Sequence, residues 1–149
     1  MKKLLPWVSL ILLLAFTALI FSFSLDSAVE SDAKSEDVTR FLQTVCDFLR
    51  LDIEMVNGVI RKAAHFVEFA ILGALAYICS RAFGYGASPA MLYSIIVATI
   101  DETIQIYSPE RFSSTEDVLL DFAGALFGIL IIFLLNLIIK KKNEKRAVR

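Results

Sequence analysis

The sequence predicts an all-α membrane protein with four transmembrane helices, cytoplasmic N- and C-termini, and a short amphipathic helix in the first extracellular segment. Three observations lead there. The chain of 149 residues is 57% hydrophobic with a mean hydropathy of +0.67, whereas about half the residues of a soluble domain are apolar. The apolar residues are gathered into long runs instead of recurring with the period of a helix that has one wet face. Lysine and arginine collect at the chain ends and at one internal turn, which gives the runs a direction. The length suits one domain, and a net charge of −1 makes no electrostatic case for nucleic acid.

The first run is Leu4 to Leu25, preceded by Lys2 and Lys3. A secretory signal would have an apolar region of about 7–15 residues followed by small residues. Ser24 and Ser27–Ala28 offer such residues, but a run of about twenty matches a full span of the hydrocarbon layer. An uncleaved signal anchor over residues 1–25 is therefore expected. The second run is about Ala63 to Phe83, the third about Pro89 to Tyr107, and the fourth about Val118 to Ile139. Residues 61–139 thus form a three-helix membrane domain, and 140–149 a basic tail.

Orientation follows from the cations. Lys2 and Lys3 stand at one end of the chain, and Lys140, Lys141, Lys142, Lys145, Arg146 and Arg149 at the other. Four spans put both ends on one side, and both are basic, so that side is cytoplasmic. The turn after the second span carries Arg81, with Gly84 and Gly86 to supply turn geometry. The expectation is a multi-pass membrane chain with both ends on the cytoplasmic side.

The outside then holds residues 26–60 and the turn Ser108 to Glu116. The longer segment is acid-rich. From Val38 its apolar residues fall at Phe41, Leu42, Val45, Phe48 and Leu49, the spacing of a helix with one apolar face. A short amphipathic helix is expected there, lying on the outer surface or packed on the bundle; packing is favoured over a gate, and its mixed-charge polar face is unlike the lysine-rich face of a typical lipid-surface helix. Cys46 and Cys79 fall on opposite sides of the membrane in this topology, too far apart for the ~7 Å that a disulfide spans.

The polar residues within the runs are the main functional signal. An ionisable group at the middle of a span costs roughly 2.5–3.5 kcal/mol on insertion, less near an interface. Here such groups gather at the outer ends. Lys62, His65 and Glu68 recur every third residue of the second run, within an arc of about 120° on one helix face. The third run carries Asp101, Glu102 and Gln105, of which Glu102 and Gln105 share a face; the fourth carries Asp117 and Asp121, one turn apart. The turn between them adds Arg111 and Ser114. Each could be an ordinary interface residue or a helix-holding ion pair, yet three helices aim polar stripes at one depth. Gly124 and Gly128 form a GxxxG spacing, read as helix packing.

A metal site is not expected. His65 and Glu68 have the spacing found in bundle di-metal proteins, but those need two histidines and the chain has one. A serine hydrolase triad is disfavoured as well, since Ser113 and Ser114 lack a GxSxG elbow. No cofactor is expected.

The stretch Lys62–Ala–Ala–His65–Phe–Val–Glu68–Phe69–Ala–Ile–Leu72–Gly73 resembles the first motif of VanZ-like proteins. Glu102, Gln105, Pro109, Arg111, Ser114 and Asp117 resemble the second, an E-x-x-Q, P-x-R, S-x-x-D pattern, and Gly124 and Gly128 match the small residues that follow. The resemblance covers about residues 60–139. Phe69 stands where the pattern often has Tyr, and Asp121 where it often has Asn. The resemblance implies a bacterial membrane protein of the cell envelope; the name-giving member is associated with low-level resistance to the antibiotic teicoplanin.

Three functions compete at this point. The first is binding of a membrane lipid or lipid-linked precursor in an outer-leaflet pocket lined by Lys62, His65, Glu68, Glu102, Gln105, Arg111, Ser114, Asp117 and Asp121, with modulation of the envelope or of glycopeptide susceptibility. The second is intramembrane hydrolysis or group transfer on a headgroup or peptidoglycan precursor, with His65 as acid or base; no unmistakable nucleophile favours it. The third is a structural role in a membrane assembly, with another membrane protein or a second copy as partner.

Overall fold

The computed structural model describes residues 4–25, 53–107 and 115–147. Four helices account for nearly all of them: α1 (Leu5–Leu25), α2 (Ile53–Ala82), α3 (Ser88–Ile106) and α4 (Thr115–Ala147). No strand occurs among the described residues. The all-helical class is therefore the one the sequence predicts. The amphipathic helix expected between Val38 and Leu49, together with Cys46, lies outside the described residues.

Three helices are long and apolar enough to cross a membrane: α1, Val56–Ala82 of α2 and Thr115–Arg146 of α4. The fourth, α3, has 19 residues, about 28 Å at 1.5 Å per residue. Asp101, Glu102 and Gln105 lower its apolarity. Two helices outrun their apolar runs. α2 begins at Ile53, well before Ala63, and α4 continues to Ala147, past Ile139. Backbone hydrogen bonding extends a helix wherever the residues tolerate it, whereas hydropathy marks only the part suited to hydrocarbon.

The bundle is inverted relative to a soluble one. On α1 the buried residues are Ser9, Leu13, Thr17, Ile20 and Ser24, a stripe with steps of three and four. The other faces of α1 carry Ile11, Leu12, Leu14 and Phe23, all exposed. The same holds on α4, where Leu130, Leu134, Leu135 and Ile138 are exposed. Lipid solvates such faces as well as a protein core would, so the inward stripe is free to hold small and polar residues that bond or pack closely.

Side-chain pairs fix the helix directions. Trp7 meets Phe83 with ring centroids 5.8 Å apart, the Thr17 and Tyr93 hydroxyls are 2.8 Å apart, and Ser24 donates to Asp101. Positions on α1 and α3 thus rise together, and the two run parallel. Between α2 and α4 the pairs are Lys62 with Asp117, His65 with Asp121, Phe66 with Phe127 and Tyr77 with Phe133. These helices are also parallel.

The turn from α2 to α3 reverses the chain within residues 83–87. Gly84 has φ +86°, a left-handed conformation suited to glycine. The Tyr85 N–H donates to the Ser80 carbonyl and the Gly84 N–H to the Arg81 carbonyl, the Schellman pattern that closes a helix C-terminus. The Ser80 hydroxyl adds a bond to the Gly86 carbonyl at 2.6 Å. Pro89 then sits in the first turn of α3, where its missing N–H costs nothing.

The α2–α4 seam is the closest. A Cβ on Gly124 would overlap the Phe66 carbonyl oxygen, and one on Gly128 the Ala70 carbonyl oxygen. From the other side, a Cβ on Gly73 would strike the Ala125 carbonyl oxygen. Backbone meets backbone with no room for a side chain. This seam brings the start of α4 against α2 at the depth of His65. α3 packs against both helices and so closes a three-helix end.

Candidate functional site

The N-terminal ends of α2 and α4 and the C-terminal end of α3 enclose a cavity of about 20 Å³, lined by Arg61, Lys62, His65, Glu102, Gln105, Asp117, Leu120 and Asp121. That is room for a water-sized guest. The lining follows from helix periodicity. Lys62 and His65 are three apart on α2, Glu102 and Gln105 three apart on α3, and Asp117 and Asp121 four apart on α4, so each pair faces one direction. The cavity lies at the bundle end opposite the basic end of Arg81 and Lys140–Arg146.

The polarity deepens inward. At the rim Lys62 Nζ is 3.8 Å from Asp117 Oδ1, with the two side chains 54% and 24% exposed. One turn below, His65 Nδ1 is 3.5 Å from Asp121 Oδ1, with Asp121 fully buried. Glu102 is 3% exposed and Asp101 is fully buried. Asp101 stands behind the lining. The Ser24 hydroxyl donates to its Oδ1, and the Gln105 amide donates to its Oδ2 at 2.8 Å. Both of its oxygens are thereby fixed in direction.

Asp121 is held differently. Neither of its carboxylate oxygens has a hydrogen-bond partner. The His65 contact at 3.5 Å is at the outer limit for a hydrogen bond and long for a charge-assisted one. A buried carboxylate with unfilled lone pairs is costly. One ligating atom from each of His65, Asp101, Glu102 and Asp121 lies within 4.8 Å of all the others. The cluster can hold a proton, a cationic group or a divalent cation, and it can position an imidazole against a carboxylate.

Of the residues expected from the sequence, Lys62, His65, Glu102, Gln105, Asp117 and Asp121 come together. Glu68 is half-buried on α2 and is not part of the lining. Arg111 and Ser114 lie outside the described residues. Gly124 and Gly128 sit in the α2–α4 seam below the cavity. Two residues are absent from the expected pocket. Asp101 belongs to the polar group of the third run but lies off the face shared by Glu102 and Gln105; its four-residue spacing from Gln105 is the signal that joins it to the cluster. Arg61 adjoins the first motif and reads as an ordinary interface cation. The sequence argument against a metal rested on a single histidine, and the fold surrounds that histidine with three carboxylates.

Among known proteins, the family model described as VanZ/LLP1 matches residues 7–136 of the chain. No curated protein matches significantly, and neither does any solved structure.

Proposed function

The chain belongs to the VanZ/LLP1 family, and from that premise we propose that it is a four-pass protein of the cytoplasmic membrane that holds the headgroup of a lipid or lipid-linked envelope precursor at the mouth of its outer-end cavity, with a single polar group reaching in. α3 crosses alongside α1, with which it runs parallel from the Phe83 end to Asp101. The basic end faces the cytoplasm under the positive-inside rule.

The observation that carries the reading is the arrangement of charge around the cavity. Arg61, Lys62 and Asp117 stand at its rim and the carboxylates of Glu102 and Asp121 line it further in. Leu119, Ile106 and Tyr107, next in sequence to the lining residues Leu120 and Gln105, are exposed and offer apolar surface. An amphiphile suits this order. Its phosphate meets the rim cations, one hydroxyl or amine group donates to the carboxylates, and its acyl or prenyl chain lies along the apolar surface. Binding of this kind modulates the envelope by sequestering or presenting the lipid.

The test is native mass spectrometry on detergent-purified protein, wild type beside Lys62→Ala and Glu102→Gln. A discrete lipid or precursor bound to wild type and lost from the folded variants is the expected result. Wild type without any bound species, and variants that lose stability instead, would reduce the cluster to helix-holding polar contacts.

One observation favours a second reading. His65 beside the buried Asp121 is a positioned imidazole–carboxylate pair, the arrangement of a general acid–base. In that case the bound headgroup is hydrolysed or transferred, and His65→Gln abolishes turnover while headgroup binding persists.

A further inference from the structure

We infer that the floor of the cavity is a binding site for a first-row divalent cation such as Mn²⁺, held by His65 of α2, Asp101 and Glu102 of α3, and Asp121 of α4. The inference uses the same cavity as the lipid reading but does not need the lipid.

Two independent observations support it. The first is the ligand set: one ligating atom from each of the four residues lies within 4.8 Å of the rest. Around a cation with bonds of about 2.1 Å, donors on opposite sides are roughly 4.2 Å apart. The set is slightly wider than a closed coordination shell and tightens by a few tenths of an ångström on each side. The second is Asp121. It is fully buried, one of its oxygens belongs to the cluster, and neither oxygen accepts a hydrogen bond. Its counterpart Asp101 is oriented by Ser24 and Gln105, the outer-shell support that metal-ligating carboxylates have.

Charge makes the same demand. The Asp121 carboxylate is fully buried beside the His65 imidazole. Lys62 is at the rim, 3.8 Å from Asp117. Among the described residues no lysine or arginine lies in ion-pair contact with Asp121. A divalent ion neutralises the cluster and fills the lone pairs of Asp121 together. One imidazole nitrogen with three carboxylates is a mixed N/O set, which suits Mn²⁺ and Zn²⁺ better than the all-oxygen sites of Ca²⁺. The ~20 Å³ cavity gives a water to an open coordination position and leads to the rim where a headgroup phosphate would approach.

The experiment uses tag-free, full-length protein in detergent without added lipid, stripped with chelator and titrated with Mn²⁺. Free Mn²⁺ is read by electron paramagnetic resonance. One bound Mn²⁺ per chain is expected, displaced by Zn²⁺, with at least tenfold weaker binding in Asp121→Asn and in His65→Gln. Pulsed measurements on wild type should show nitrogen hyperfine coupling. With one histidine in the chain, that coupling assigns the site without relying on a variant. No stoichiometric binding to folded wild type overturns the inference, as does bound Mn²⁺ without nitrogen coupling, or affinity unchanged in a folded variant. Because no lipid is added, metal binding and headgroup capture succeed or fail separately.

Discussion

The α2–α4 seam and the α1–α3 seam solve the same problem by opposite means. Both join parallel helices across an apolar medium, where burial of greasy side chains gives no net drive to associate. The first removes side chains: Gly73, Gly124 and Gly128 let backbones touch. The second adds hydrogen bonds: Thr17 to Tyr93 and Ser24 to Asp101. One seam therefore resists an added atom, and the other is weakened by a lost hydroxyl. The functional cluster stands where the two systems meet. Asp101 is fixed from the α1 side and Asp121 is carried in by α4.

The comparison breaks most visibly at Gly128. A leucine there meets the Ala70 carbonyl and the backbone of α2, which cannot rotate away. Overpacking usually costs about 1–3 kcal/mol, and a backbone clash places this case at or above the upper end. Gly128→Leu should lose most of its folded protein on size-exclusion of a fluorescent fusion. A normal yield would show that the seam can spread.

A smaller effect is expected at Ser24→Ala. Asp101 then loses one of its two fixed donors while fully buried. The change should cost roughly 1–2 kcal/mol, read as a lower thermal unfolding midpoint. Unchanged stability would mean that this hydroxyl does not hold the α1–α3 seam.

The smallest effect is at Thr17→Val. Interhelical hydrogen bonds in membranes average about 0.6 kcal/mol, so a modest loss is expected. Thr17 also donates within its own helix to Leu13 at 2.9 Å, which a double-mutant cycle with Tyr93→Phe separates. A coupling near zero would leave the second seam resting on Ser24 alone.

The sequence showed its helices where hydrocarbon demands twenty apolar residues. Leu4 to Leu25 corresponds closely to α1 (Leu5–Leu25). It lost them where helix continues beyond the hydrocarbon, as between Ile53 and Lys62 and from Lys140 to Ala147. In the site, three-and-four spacing was enough to pair Lys62 with His65, Glu102 with Gln105 and Asp117 with Asp121. It names Asp101 but leaves it out of the pocket, because α3 touches α1 as well as α2 and α4. A helix with partners on several sides buries several faces, and a single-stripe reading sees only one. Spacing also gave no hint that Asp121 would be left without a hydrogen-bond donor, which depends on where neighbouring helices stop.

The closed turn at Gly84 has a consequence for how the protein is built. Residues 83–87 are too few to let α2 and α3 reach opposite sides of a bundle independently, and the Schellman bonds fix the reversal locally. The two helices are therefore joined as one hairpin. Joined to α2, α3 is held with Asp101 and Glu102 beside the helix that bears His65, so the hairpin sets two sides of the cluster and α4 completes it with Asp121.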